Sequence, residues 1–286
     1  VAKERAPDEE WTQVISPERA LFALNLAEVW KFRDLVYLFV HRDFVAQYKQ
    51  TILGPLWHLI QPLLTTVMFT IVFGRIAQIS TDGLPPFLFY MAGTVIWTYF
   101  ANVLTKTSDT FISNAGVFGK VYFPRLVMPV SVLISQLVSF ACQYLLFLSF
   151  LLYYVLQGAA VAPNIWVLLT PVLLLMMAAL GMGAGITISA LTTRYRDLKV
   201  LVGFGVQLLM YATPIVYPMS VVEGRFGWLL YLNPAAPIVE AFRYAYLGQG
   251  VLDLSWLLFS AGMISLLLLL GIVLFNRIER TFMDTV

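Results

Sequence analysis

Six apolar runs set what this chain can become. They lie at residues 56–74, 87–105, 127–156, 165–191, 200–217 and 254–275, and none contains Asp, Glu, Lys or Arg. About 20 apolar residues in a helix cross the roughly 30 Å of hydrocarbon in a bilayer. The third, fourth and sixth runs reach that length, and the first, second and fifth fall slightly short. Backbone inside lipid has no water to bond, so each run must satisfy its own N–H and C=O groups as a helix. The expected fold class is an all-α polytopic membrane protein with six transmembrane helices. Charge agrees, because 12% of the 286 residues are charged and 60% are hydrophobic, whereas a soluble domain carries about 25% charged residues. The net charge of +2 is too small for a nucleic-acid partner. Membrane lipids are the expected surroundings.

The expected division is a cytoplasmic N-terminal segment at 1–55, a six-span domain at 56–277 and a cytoplasmic tail at 278–286. The chain opens with Lys3, Glu4, Arg5, Asp8, Glu9 and Glu10 and has no early apolar stretch, so it does not read as a signal peptide. Ser16-Pro17-Glu18 reads as a helix start, with a Ser cap, Pro in the first turn and an acid at the positive end. The segment 18–34 is too charged to span, and its imperfect apolar stripe predicts an amphipathic helix in the interface plane. A second helical piece follows at about 35–50. The stretch from His41 to Pro62 then carries the chain into the bilayer. Arg42, Asp43 and Lys49 stay on the wet side, Gly54-Pro55 breaks the helix, and Trp57 stands at headgroup level.

Basic residues orient the spans. Fifteen of the 18 Lys and Arg fall on the side of the N-terminal segment, the 106–126 loop, the loop after the fourth run and the tail. Arg75, Arg225 and Arg243 fall on the other side. Both termini are expected in the cytoplasm. The loop 106–126 is long enough for a short helix parallel to the membrane. The connection 218–253 carries Trp228, Leu229, Leu230, Tyr231, Phe242, Tyr244 and Tyr246 and is too apolar to float in water. It predicts two short re-entrant helices in the last external loop, joined at Asn233-Pro234 and stopped at Gly248. Gly181, Gly183 and Gly185 predict close helix packing within the chain.

Catalytic chemistry is not legible. Cys142 is alone, so neither an intrachain disulfide nor a cysteine metal cluster is expected. His41 and His58 sit at the membrane boundary. The stretch 114–121 lacks the leading Gly of a phosphate loop and the Ser/Thr after Lys120. Charge-free spans and the lack of a visible repeat argue against an ion-coupled carrier, and the lack of a catalytic constellation argues against a membrane enzyme. Energy for any transport is expected from a separate subunit, with no cofactor in this chain. Docking or gating elements are the interface helix, the 106–126 loop and the run Arg194-Tyr195-Arg196-Asp197-Leu198-Lys199. Among the aromatics, Phe69, Phe73, Trp97, Tyr99, Tyr211 and Tyr217 are candidates for a conduit that stacks on sugar faces.

Several stretches together resemble one family. Trp30-x-x-Arg33-Asp34-Leu35, Arg42-Asp43 and Gln47-Tyr48-Lys49-Gln50-Thr51-x-Leu53-Gly54-Pro55-x-Trp57 to Pro62 are similar to the N-terminal signature of polysaccharide-exporting type-2 ABC permeases. These are the Wzm/TagG-like subunits for O-antigen, capsule or teichoic acid. Arg194-Tyr-Arg-Asp197-Leu198, Gln207 and Thr213-Pro214-Ile215-Val216-Tyr217-Pro218 resemble the family's fifth-helix region, and Asn233-Pro234 its external gate. The resemblance covers roughly residues 20–280. It implies a homodimer bound to two cytoplasmic ABC ATPase subunits, which hold ATP and Mg and drive a lipid-linked glycan across the inner membrane. It implies ATPase docking by Glu28, Trp30, Arg33, Asp34, Asn114, Gly116 and Lys120. Arg42 and Lys49 would lie at an inner entrance for a lipid phosphate, and Arg194, Arg196, Asp197, Asn233 and Pro234 would serve gating. A drug or lipid exporter of the same group is the alternative.

Overall fold

The computed structural model describes residues 26–49, 51–118, 123–192, 197–222 and 227–282. The first part of the expected 18–34 helix therefore lies outside the described residues. What is described begins with α1 (Leu26–Lys31) and α2 (Arg33–Tyr48). Gly54, at φ +50°, takes a left-handed conformation that suits glycine. A single tight turn with Pro55 near its start then leads into α3 (Trp57–Phe69). This is the break expected from Gly54-Pro55. The helix continues as a π-wound stretch over Thr70–Ile76.

The remaining helices are α4 (Pro86–Ser108), the short α5 (Thr110–Ser113) and α6 (Ala115–Phe118), α7 (Val127–Leu156), α8 (Thr170–Thr192), α9 (Leu198–Tyr211), α10 (Gly227–Tyr231), α11 (Ala236–Leu247) and α12 (Leu254–Phe282). No strand occurs among the described residues. Five stretches are long and apolar enough to cross a membrane, at Gly54–Ile76, Pro86–Ser108, Val127–Leu156, Ile165–Thr192 and Leu254–Phe275.

The fifth expected span is shorter than the 200–217 read from sequence. α9 has 14 residues, or about 21 Å at the helical rise, and ends at Tyr211. Two residues past that end, the Thr213 hydroxyl donates back to the Leu209 carbonyl at 2.7 Å. Pro214 follows, with no N–H and with a ring that disfavours helix at the residue before it. The apolar run continues to Tyr217, but as a buried turn rather than a helix.

α4 is the axis of the molecule. Every residue from Leu88 to Phe100 except Thr98 is buried, enclosed by α7, α8, α11, α3 and α9. Close approach to α8 depends on glycine. A Cβ at Gly185 would stand 2.7 Å from the Thr107 Cβ, and one at Gly181 3.1 Å from the Phe100 carbonyl. The intervening Gly183 faces the other way, where a Cβ would meet the α12 backbone at Leu268 at 2.9 Å. Gly271 of α12 returns the contact, since a Cβ there would stand 2.7 Å from the Gly183 carbonyl. The glycine stripe thus packs α8 between two helices of its own chain, as the sequence suggests. α3 buries only His58, Pro62 and Thr66. That spacing of four residues makes one narrow stripe, and Leu64, Met68 and Ile71 stay exposed. α2 lies across one end of the bundle. There Val36 and Phe39, with Val29 of α1, cover Phe123, Val127, Ile186 and Phe275.

Candidate functional site

Two regions gather the polar chemistry, one at each end of the bundle. At the end away from α2, α11 is held along its whole length. Its start is an Asn turn. The Asn233 Oδ1 accepts from the Ala235 N–H at 3.0 Å, while its amide donates to the Ala212 carbonyl at 3.1 Å and the Thr213 hydroxyl at 2.9 Å. The two motifs at 213–218 and 233–234 are therefore bonded to each other. The last carbonyls of α11, orphaned in any helix, are taken by the connection between α7 and α8. Ala162 N–H donates to Leu247 at 3.2 Å, Asn164 N–H to Ala245 at 3.0 Å, and the Asn164 amide to Tyr244 at 2.9 Å. Gly248 ends the helix at φ +76°, and a Cβ there would lie 2.7 Å from the Ala162 carbonyl. The Tyr246 hydroxyl meets Thr170 at 2.8 Å and also bonds the Tyr144 hydroxyl.

An ion pair sits in the middle of this assembly. Arg243 bonds Glu240 at 2.7 Å, and each side chain is 1% exposed. The same guanidinium donates to the Pro214 carbonyl at 2.8 Å and lies 3.8 Å above the centroid of Phe89 on α4. On its other side Glu240 lies against the loop after α11, where a Cβ at Gly250 would stand 2.9 Å from its Oε2. One pair therefore joins α11 to α4, to the turn after α9 and to the loop that follows it. Asp82, in the loop before α4, accepts from Ser220 at 2.8 and 3.0 Å. Three connections thus converge on this loop, whose helices α10 and α11 are joined at Asn233-Pro234.

Beside them runs an apolar cleft of about 620 Å³, lined by Phe100, Leu104, Leu209, Tyr217, Asn233 and Pro234 among others. Tyr217 donates to the Tyr211 carbonyl at 3.1 Å. The six aromatics singled out for a conduit do not converge. Trp97 and Tyr99 are core side chains of α4, 4% and 2% exposed, because that helix is enclosed on all sides. Covered by the chain's own helices, these two candidate conduit rings open onto no passage in this arrangement. Phe69 and Phe73 pack edge-on to each other and around Tyr90, with centroids 6.3 and 6.4 Å from that ring. Only Tyr211 and Tyr217 stand near the cleft and the clamped turn.

At the α2 end, Trp30 is 71% exposed, and Arg33, Asp34 and Gly116 are exposed as well. They can meet a partner without unfolding anything. Arg42 is not a free cation. It bonds Asp43 at 2.8 and 2.9 Å and reaches the Asn114 side chain at 3.2 Å. Lys49, exposed at the end of α2, is separate from it. Arg42 thereby links α2 to the 106–126 loop, and Lys199 links α9 to the end of α4 through Asp109 at 2.8 Å. Asp197 precedes α9 and is exposed; its side chain makes no cap bond. Lys120, Arg194 and Arg196 lie outside the described residues, as does the Glu28 side chain.

Sequence reasoning counted Arg243 as a loop charge and passed over Glu240. Their i, i+3 spacing was the available signal, since residues three apart share a helix face.

Residues 34–247, from the first turn of α2 to the last residue of α11, match the ABC-2 type transporter family. The chain belongs to that family. It is a multi-pass membrane protein. Among curated relatives of this ABC-2 protein are two Klebsiella pneumoniae proteins named O-antigen export system permease protein RfbA. Each is 28% identical over 254 residues, covering 88% of this chain and 94% of the relative. A Myxococcus xanthus protein of the same name is 25% identical over 263 residues, covering 91% and 98%.

Proposed function

We propose that this chain is the permease subunit of an ATP-driven exporter that moves a lipid-linked polysaccharide outward across the cytoplasmic membrane. The observation that carries the reading is the near full-length similarity to three O-antigen export permeases. The spans support it, because they carry no acidic residue and only Arg75 and Lys106, each near a span end, whereas ion-coupled carriers place ionisable groups near the midplane. The chain is the non-catalytic part. Two copies pair with two cytoplasmic ATPase subunits, which bind ATP and Mg. The basic end faces the cytoplasm, following the distribution of Lys and Arg, and places both termini there. Trp30, Arg33, Asp34 and the Asn114–Gly116 turn are the docking surface, Arg42 and Lys49 flank the inner entrance, and the clamped α10–α11 pair gates the exit.

Deletion of the gene tests the cargo. The lipid-linked glycan accumulates inside the cell, and the wild-type chain restores export. Unchanged glycan export would refute the reading and leave a drug or lipid exporter. Co-purification tests the partner: a cognate ATPase follows the wild-type chain and is lost with Trp30→Ala/Arg33→Ala, while intact co-purification removes these residues from the docking surface.

A further inference from the structure

We infer that the cavity between α2, the start of α3, the end of α4 and α7 binds the phosphate ester of a lipid headgroup. Its volume is about 200 Å³, below the roughly 300–1,000 Å³ of pockets that take whole organic ligands. It suits a single compact group. Both histidines of the chain line it, with Asp43, Lys106, Ser135 and Ser139. Arg75 and Lys106 are the only charged residues in the five membrane-length stretches, so this collection is exceptional.

The donor balance selects an anion. Lys106 offers three N–H donors and no acceptor, and no ion pair with a described residue holds it. The buried Ser135 hydroxyl has no hydrogen-bond partner among the described residues. The Ser139 hydroxyl has only a long 3.4 Å contact to the His58 Nε2. The Tyr48 hydroxyl is buried and unpartnered as well, with its ring edge-on to His58 at 5.1 Å. Against these donors stands one carboxylate, Asp43, whose Oδ1 takes both bonds from Arg42 and whose charge Arg42 offsets. With Arg42 and Asp43 paired, the Lys106 ammonium leaves the group one positive charge in excess, which disfavours a cation. An oxyanion would find an ammonium and hydroxyls, and hydrogen bonds to charged groups are the strong ones.

Depth points to a lipid as the source. Trp57, half-exposed and adjacent to His58, is the residue type that sits at headgroup level. The cavity therefore opens where lipid phosphates lie. An anionic phospholipid and a polyprenyl phosphate carry the same group. The inference does not depend on transport, so failure of the export reading leaves it standing.

The test uses the full chain in phosphatidylcholine nanodiscs containing either phosphatidylglycerol or a polyprenyl phosphate, with retained lipid read by native mass spectrometry. The wild-type chain retains a phosphate-bearing anionic lipid over phosphatidylcholine. Lys106→Gln lowers that preference about tenfold, the loss expected for one charge-assisted bond. Lys106→Arg restores it, and Ser135→Ala/Ser139→Ala lowers it in part. Preference for the polyprenyl phosphate identifies a carrier lipid, equal retention identifies bulk phospholipid, and both support the site. No preference over phosphatidylcholine, or the same preference in Lys106→Gln as in wild type, overturns it.

Discussion

Removing Glu240 or Arg243 singly should damage the fold far more than removing both. Both side chains are 1% exposed, so neither charge left alone can be rehydrated without opening the protein. Breaking such a pair costs about 3–5 kcal/mol, whereas replacing both members with apolar groups of similar size is often near neutral. The two single changes are not equivalent. In Arg243→Met, the Glu240 carboxyl can take up a proton and become neutral. In Glu240→Met, Arg243 keeps the Pro214 carbonyl and the Phe89 face, but a guanidinium cannot shed its charge. Glu240→Met is therefore expected at the upper end of that range and Arg243→Met at or below the lower end. The double change should recover most of the loss. Reversible unfolding of the full chain in mixed micelles, run as a double-mutant cycle, measures all three. Additive single effects, or single effects under about 1 kcal/mol, would refute the idea that this pair clamps the re-entrant helix.

Gly185→Leu should destabilise the chain by about 1–3 kcal/mol, since its Cβ would stand 2.7 Å from the Thr107 Cβ. Gly203→Ala, where nothing lies within 4 Å, should stay within about 0.5 kcal/mol in the same unfolding assay. Asn233→Ala strands the Ala235 N–H and loses two amide bonds, a loss of about 1–3 kcal/mol, and should impair export more than assembly; normal export would separate the clamp from gating. Lys199→Ala removes an ion pair with Asp109 whose lysine is 59% exposed and should change stability by no more than about 1 kcal/mol, measured by the same denaturation.

Local chemistry made much of the architecture legible. Val127–Leu156 is a helix over the range read from its apolar run, because a long apolar segment has one way to satisfy its backbone in lipid. The Asn233-Pro234 start and the Gly248 stop of α11 were visible because Asn, Pro and Gly act on their immediate neighbours. The end of α9 was open to the same reasoning, since Pro214 stands in the apolar run, but hydropathy does not register a lost N–H. The conduit aromatics were not legible. A ring on α4 looks the same in sequence whether its face meets a passage or another helix, and Trp97 and Tyr99 meet helices. Arg42 looked like a free cation until Asn114, 72 residues away, was brought beside it.

By itself the sequence determined that this chain lies in a membrane, which segments are long apolar helices and where most of them are broken. Those outcomes follow from the transfer of apolar side chains and backbone groups into lipid, which depends on composition along the chain. The tertiary structure alone decided that the last loop folds back against α4, and that Arg243 is a buried clamp rather than a surface charge. It also decided that the polar residues of α2, α3, α4 and α7 share one cavity. Those are contacts between segments far apart in the chain, and shape rather than composition selects them.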